Sequence, residues 1–266
     1  MTRPEWAPDD IDISVPSAAR MYDYYLGGAH NFAVDRELAE KALRAMPDGR
    51  ALARANRAFL QRSVRFLTRA GIRQFLDIGS GIPTVGNVHE VAQRIAPDAR
   101  VAYVDIDPIA VSHARALLAD NPGAVALHGD LREPDRILAD PALRELFDLD
   151  QPVAVLLLAV LHFVADANRP DEIIGTLRDA LAPGSYLVIS HGTDEGRSTE
   201  ALEQVYRNTV TPLAMRDRAQ VRALFAGFEL LEPGVVWAPQ WHPDQPEDVG
   251  TQPERSGSYV GVGRRP

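Results

Sequence analysis

The stretch FLDIGSGIPT, residues 75–84, decides how the chain is read. A short apolar run carries an aspartate near its end, then passes through two glycines one residue apart into a helical pattern. That is the form of a strand entering the first crossover of an α/β sheet. Gly79 and Gly81 let the backbone turn tightly or approach a ligand where a Cβ would obstruct it. A dinucleotide fingerprint needs a third glycine where Thr84 stands, and a pyrophosphate sits poorly beside the carboxylate of Asp77. An acid at this lip favours a ligand with an ammonium and a sulfonium and no phosphate, as in S-adenosylmethionine.

Downstream, ARVAYVDID, GAVALHG, PVAVLLLAVLHF and GSYLVISHG read as further strands, most of them nearly continuous in apolar residues as in a sheet covered on both faces. Helical stretches near 86–96, 108–120, 134–146 and 170–182 are long enough for the crossovers that parallel strands require. The alternation predicts an α/β fold, a doubly wound, Rossmann-like and mostly parallel sheet with its ligand crevice at the carboxyl ends of the strands. A helical pattern at 217–226, a strand FELLEPGVVW, a proline-rich loop at 238–257 and a strand SYVGVG fit an antiparallel addition at one sheet edge. Trp237, Trp241 and His242 in that loop either wall a substrate pocket or sit in an exposed connection.

Upstream, residues 1–16 read as an arm, residues 17–71 as a helical cap and residues 72–266 as the sheet domain. In the long helix, Asp48 and Gly71 read as end signals, with Leu52, Ala55, Phe59, Ser63, Phe66 and Ala70 on the packed side. Arg50, Arg54, Arg57, Arg62, Arg65 and Arg69 then fall on the opposite face, read as solvated in preference to an anion-binding stripe.

A chain of 266 residues with net charge −9 and no cysteine can bury a core without disulfides and offers no thiolate chemistry. The acidic balance argues against a broad phosphate-binding surface, so small molecules are the expected substrates and nucleic acid is not. There is no apolar run of eighteen residues and no secretory pattern at the start, so no membrane partner and a cytoplasmic location are expected. No metal motif occurs: His89 and Glu90 lack a second histidine at helical spacing.

Asp77, Asp105 and Asp130 end three successive strands. The second is placed to take ribose hydroxyls and the third an adenine amino group, while Asp107 before Pro108 reads as a helix cap. In that order D-I-G-S-G, V-D-I-D-P and H-G-D-L resemble the first three motifs of class I S-adenosylmethionine-dependent methyltransferases. ARMYDYYLGGAHNFAVDRE, RQFLDIGSGIPTVGNVHEVAQ and FELLEPGVV resemble more closely a largely uncharacterised actinomycete methyltransferase family once filed as a domain of unknown function. The resemblance implies the methyltransferase variant of the doubly wound sheet with an N-terminal helical extension. It implies S-adenosyl-L-methionine held by Asp77, Gly79, Asp105 and Asp130, with Ser80, Gly81, Ile106 and Leu131 beside them. Asn87 either reaches the cofactor's carboxylate end or caps its helix.

Methyl transfer from a sulfonium is a displacement in which alignment does much of the work, so a base is optional. His162 after the fourth strand and His191 at the end of the fifth are the candidate bases, each with a structural hydrogen bond as the alternative. The absence of an Asn-Pro-Pro-Tyr or Asp-Pro-Pro-Tyr motif after strand four argues against methylation of base amines. Residues 17–35 read as a lid whose Tyr22, Tyr25 and Phe32 exclude water and whose Asn31 or Asp35 hydrogen-bonds ligand; the alternative is that they only pack. The favoured function is methyl transfer to oxygen or nitrogen of a small molecule. The rivals are a non-catalytic regulatory protein that binds S-adenosylmethionine or S-adenosylhomocysteine, and a nicotinamide-dependent oxidoreductase.

Overall fold

The computed structural model describes residues 12–84, 86–195, 200–206 and 213–266, so most of the expected arm lies outside the described residues. In chain order the elements are α1 (Ala18–Leu26), α2 (Ala33–Ala45), α3 (Gly49–Arg69), β1 (Gln74–Ile78), α4 (Val88–Ile95), β2 (Arg100–Asp105), α5 (Pro108–Leu117) and β3 (Ala124–His128). There follow α6 (Pro134–Leu138), α7 (Pro141–Leu146), β4 (Val153–Leu158), α8 (Pro170–Asp179), β5 (Tyr186–Gly192), α9 (Glu200–Tyr206), α10 (Arg218–Ala223), β6 (Glu229–Leu230), β7 (Val236–Trp237) and β8 (Ser258–Arg264). Among the described residues no helix is long and apolar enough to cross a membrane.

The sheet runs β3-β2-β1-β4-β5-β8-β6, with β7 also paired to β8. β1 to β5 are parallel, and β8 runs antiparallel to β5. Strand order reverses between β1 and β4, and there the crossovers leave toward opposite edges and open a crevice. The antiparallel addition at one edge is as expected, β8 lying next to β5, but the segment read as a single strand is divided into the short β6 and β7, both paired to β8. Pro233 and Gly234 break that segment, with Gly234 in the left-handed region and its N–H donating to Leu231. The stretch 134–146 is likewise two helices, because Asp140 accepts from Ala142 and Leu143 and starts a new one at Pro141.

Side chains alternate across each strand, and this sorts the core into two layers. Leu76, Ile78, Val155, Leu157, Leu187 and Ile189 join the layer with α8 and α10. Phe75, Leu156, Val188 and Val260 join the layer with α3 and α4. Asp77 has the parity of Phe75 and therefore stands on the α3 side.

α3 is rotated from the expected setting. Its buried stripe is Ala53, Asn56, Phe59, Leu60, Ser63, Val64 and Leu67, and Arg62 is buried as well. Arg62 donates through Nε to Trp241 O at 3.0 Å and through Nη2 to Ala238 O at 2.7 Å, so the C-terminal loop docks on the helix face read as solvated. Trp241 is fully buried, with Phe59 and Phe66 edge-on at 5.4 and 5.5 Å. Trp237, half-buried, stacks on Tyr259 and packs against the core, so both tryptophans serve packing. Asp48 makes no side-chain cap and instead pairs with Arg255 at 2.6 Å.

Replacing Trp241 by Ala should lower the unfolding free energy by about 3–5 kcal/mol, measured by urea denaturation. A loss below about 1 kcal/mol would show that the loop contributes little to the core.

Candidate functional site

The crevice forms where the ends of β1 and β4 meet. Gly79 has φ +75°, and a Cβ built there would run into the side chain of Val160, so only glycine passes. The loop beyond is held from the neighbouring strand. The Gly81 N–H donates to Asp105 Oδ2 at 2.7 Å and the Asp107 N–H to Asp105 Oδ1 at 2.8 Å. Around this junction lies a cavity of about 640 Å³ that includes Asp77, Gly79, Ser80, Gly81, Asp105 and Asp130 in its wall. Half-exposed Ile106 and buried Leu131 line it too.

The carboxylates differ in electrostatic state. Asp77 is buried, and among the described residues its carboxylate accepts no hydrogen bond. Burial pushes its pKa up to about 7, against the pull of the nearby Arg57 guanidinium and with a further push from Asp105. Burial likewise raises Asp105 to about 6, although backbone N–H groups of Asp107 and Gly81 oppose the shift. Asp130 is lowered: burial pulls it up, but the Arg132 guanidinium at 2.5 Å outweighs that. The fork of Arg132 occupies much of this carboxylate and leaves less of it for a ligand than sequence alone suggests. Asp107 is the cap of α5, accepting from Ile109 at 2.8 Å.

The N-terminal helices cover one side. Tyr22 and Tyr25 line the cavity. The Tyr22 hydroxyl donates to Ala53 O and accepts from Asn56 Nδ2 at 2.8 Å. Asn56 Oδ1 in turn accepts from Ser190 Oγ at 2.6 Å, and that oxygen accepts the Ala159 N–H at 2.8 Å. One hydrogen-bonded chain thus ties lid, α3, β5 and the end of β4 together.

Asn31 and Phe32 do not reach the cavity. Gly27 ends α1 in the left-handed region and turns the chain away, toward α5. There Asn31 donates to Asp23 and Gly28 O, and Phe32 packs with Ile82, Ile109 and Ala110. Asp35 accepts from the Ser17 and Phe32 N–H groups and pairs with Arg20 at 3.3 Å, so it stands behind the cavity wall, bonded to Ser17 and Arg20 that line it. Asn87 is also set back. Its Oδ1 accepts from Thr84 N and from Arg57 Nη2 at 3.3 Å, and its Nδ2 donates to Glu90, so it neither lines the cavity nor caps α4 through its side chain. The basic residue it braces, Arg57, does line the cavity beside Asp77. Sequence reasoning missed Arg57 by placing it on a solvated face. The available signal was the polar pair Asn56 and Ser63, seven residues apart on a stripe that is otherwise apolar.

The two histidines part ways. His191 is fully buried and lies outside the cavity wall. Its Nε2 accepts from Arg216 Nη1 at 2.8 Å, so its Nδ1 carries the proton and donates to Gly192 O at 2.7 Å. Both nitrogens are engaged, burial lowers the ring to about 4, and the expected crevice-facing base is a structural group. His162 lines the cavity, and its Nδ1 accepts the Gly192 N–H at 3.3 Å. Burial, with His191 and Arg216 adding to it, lowers its pKa to about 3. Among the described residues no group of three or more acidic or histidine side chains is placed to hold a metal ion.

The fold and cavity have clear relatives. A candidate methyltransferase from Thermobifida fusca YX superposes with a TM-score of 0.93 at 43% identity, over 98% of this chain and 99% of that one. A DUF574 family protein from Streptomyces avermitilis MA-4680 gives 0.91 at 38% identity, over 96% and 100%. Human N-acetylserotonin methyltransferase in complex with S-adenosylmethionine shares the fold alone, with a TM-score of 0.50 at 15% identity over 95% of this chain and 63% of that one. A 58-residue segment is 38% identical to ribosomal RNA small subunit methyltransferase H of Halorhodospira halophila, covering 22% of this chain and only 18% of that one. The model of the family described as S-adenosyl methyltransferase matches residues 4–266, and the chain belongs to that family, class I methyltransferases dependent on S-adenosylmethionine.

Proposed function

We propose that the protein transfers the methyl group of S-adenosylmethionine to a small-molecule acceptor held beneath the α1 lid. The observation that carries this reading is the buried Asp77 carboxylate, without a hydrogen-bond donor among the described residues, beside the Arg57 guanidinium at the mouth of the glycine turn. A buried carboxylate in such a setting is costly unless a ligand brings a positive group. Here Asp77 takes the ammonium of the amino-acid end and Arg57 its carboxylate. Asp105 takes the ribose hydroxyls, Asp130 the adenine amino group, and Ile106 and Leu131 the faces of the ring. The cofactor supplies an electrophilic methyl group on a sulfonium.

The lid, α3 and the loop after β4 exclude water and position the acceptor, which supplies much of the acceleration in a displacement of this kind. Enclosure of the cavity by α1, together with the net charge of −9, favours a small acceptor over a nucleic acid.

In calorimetry, S-adenosylmethionine and S-adenosylhomocysteine should bind and NAD should not. Asp77→Asn should weaken binding about 30- to 100-fold, the worth of a charge-assisted buried contact of roughly 2–3 kcal/mol. Arg57→Met should weaken it by about tenfold. Tight NAD binding with no response to the sulfur ligands would refute the assignment. Incubation with labelled donor and a small-molecule extract should then label a product.

The pH dependence follows from Asp77. An ammonium ligand needs the carboxylate, whereas below about pH 7 the ligand-free protein holds the acid, so binding must expel a proton there. Donor affinity should rise between pH 6 and 8, with proton release visible when calorimetry is repeated in buffers of different ionisation enthalpy. For the ligand-free protein the sign is opposite. A carboxyl raised from 3.8 to about 7 binds more protons folded than unfolded, so its contribution to stability falls as pH rises through that window. Affinity independent of pH across this range would contradict the role given to Asp77.

A further inference from the structure

Away from Asp77, the cavity wall is apolar and rich in rings. Tyr25, Met46, Phe163, Leu202, Tyr206 and Met215 line it and pack as one cluster. The rings follow one another, with centroids 4.4 Å apart from His162 to Phe163 and 6.1 Å from Phe163 to Tyr206, and the Tyr206 and Tyr25 hydroxyls are 3.5 Å apart. Burial raises both phenols, which therefore stay protonated. Every described carboxylate of the cavity, Asp12, Asp77, Asp105, Asp107 and Asp130, stands at the ends of β1–β3 or on the segment leading into α1. None stands on this wall among the described residues.

The orientation of His162 adds a second constraint. A ring nitrogen that accepts the Gly192 N–H carries no proton, so the neutral imidazole holds its proton on Nε2. Its basic lone pair is thus held by the backbone of β5, and what remains is an N–H.

We infer that the acceptor is an oxyanion on a flat apolar molecule, a carboxylate or an acidic phenol, and that His162 donates its Nε2–H to that oxygen instead of removing a proton from it. This rests on the methyl-transfer reading above. The acceptor oxygen gives a lone pair to the methyl carbon, the carbon–sulfur pair stays on sulfur, and no proton leaves because the oxygen arrives ionised. Two opposite charges disappear, a change favoured where water and counter-charges are absent. An amine would gain a positive charge on methylation, and this wall has no carboxylate to meet it. Its single lone pair also cannot both attack carbon and accept from His162, whereas an oxyanion has further pairs.

Three experiments test the inference. Nitrogen NMR of histidine-labelled protein should show His162 as the Nε2–H tautomer, without titration between pH 6 and 9; an Nδ1–H tautomer, or titration in that range, would overturn it. Products formed from labelled donor and a small-molecule extract should carry the label on oxygen, as base-labile methyl esters or aryl methyl ethers. On the labelled acceptor, His162→Gln, which keeps a donor near the Nε2 position, should lose less than about tenfold in kcat. His162→Leu should lose 100-fold or more with the pH profile unshifted. Label on nitrogen, or equal loss in both variants, would overturn the inference alone. No label anywhere while the donor still binds would overturn the methyl-transfer reading beneath it.

Discussion

A carboxylate held out of water at the end of β1 is the constraint on which the site depends. Asp77 is buried beneath α3 and has no hydrogen-bond donor among the described residues; the Arg57 guanidinium offsets part of the cost of its charge, and a cationic group entering the crevice would offset more. Much of the surrounding structure serves to keep that arrangement in place. Asn87 braces Arg57 opposite the carboxylate. Asp105 fixes the glycine loop by taking its Gly81 N–H. The chain from Ala159 through Ser190 and Asn56 to Tyr22 sets the height of the lid above the crevice.

The same economy separates the two ends of the cavity. Charge is concentrated near β1–β3, where a zwitterionic, hydroxylated ligand can match it. The wall from His162 to Tyr25 offers rings and N–H or O–H donors. A site with a charged holding end and a nearly uncharged reacting end suits a reaction that removes charge as it proceeds.

The features legible in the sequence were those whose cause is local. The glycine turn after Asp77, the acids closing β2 and β3, the cap at Asp107 and the stop at Gly27 are each fixed by residues a few positions apart. What the sequence hid depends on which face an element turns inward. α3 carries arginines around much of its circumference, and only the docking of Trp241 and Ala238 shows that Arg62 faces inward and Arg57 faces the cavity. Asn31 and Phe32 were misplaced because the turn after Gly27 sends the chain toward α5, a long-range consequence of packing against Ile109. His191 was in principle readable. Alternation along β5 puts it with Leu187 and Ile189 on the α8 face, and it puts Ser190 on the α3 face where Asn56 waits.

The most direct test of the account is a crystal structure with S-adenosylhomocysteine bound. The account predicts its amino group within hydrogen-bonding distance of the Asp77 carboxylate and its carboxylate on Arg57, with the sulfur directed toward His162. A ligand that places its adenine or ribose against Asp77, or leaves both Asp77 and Arg57 without contact, would contradict it.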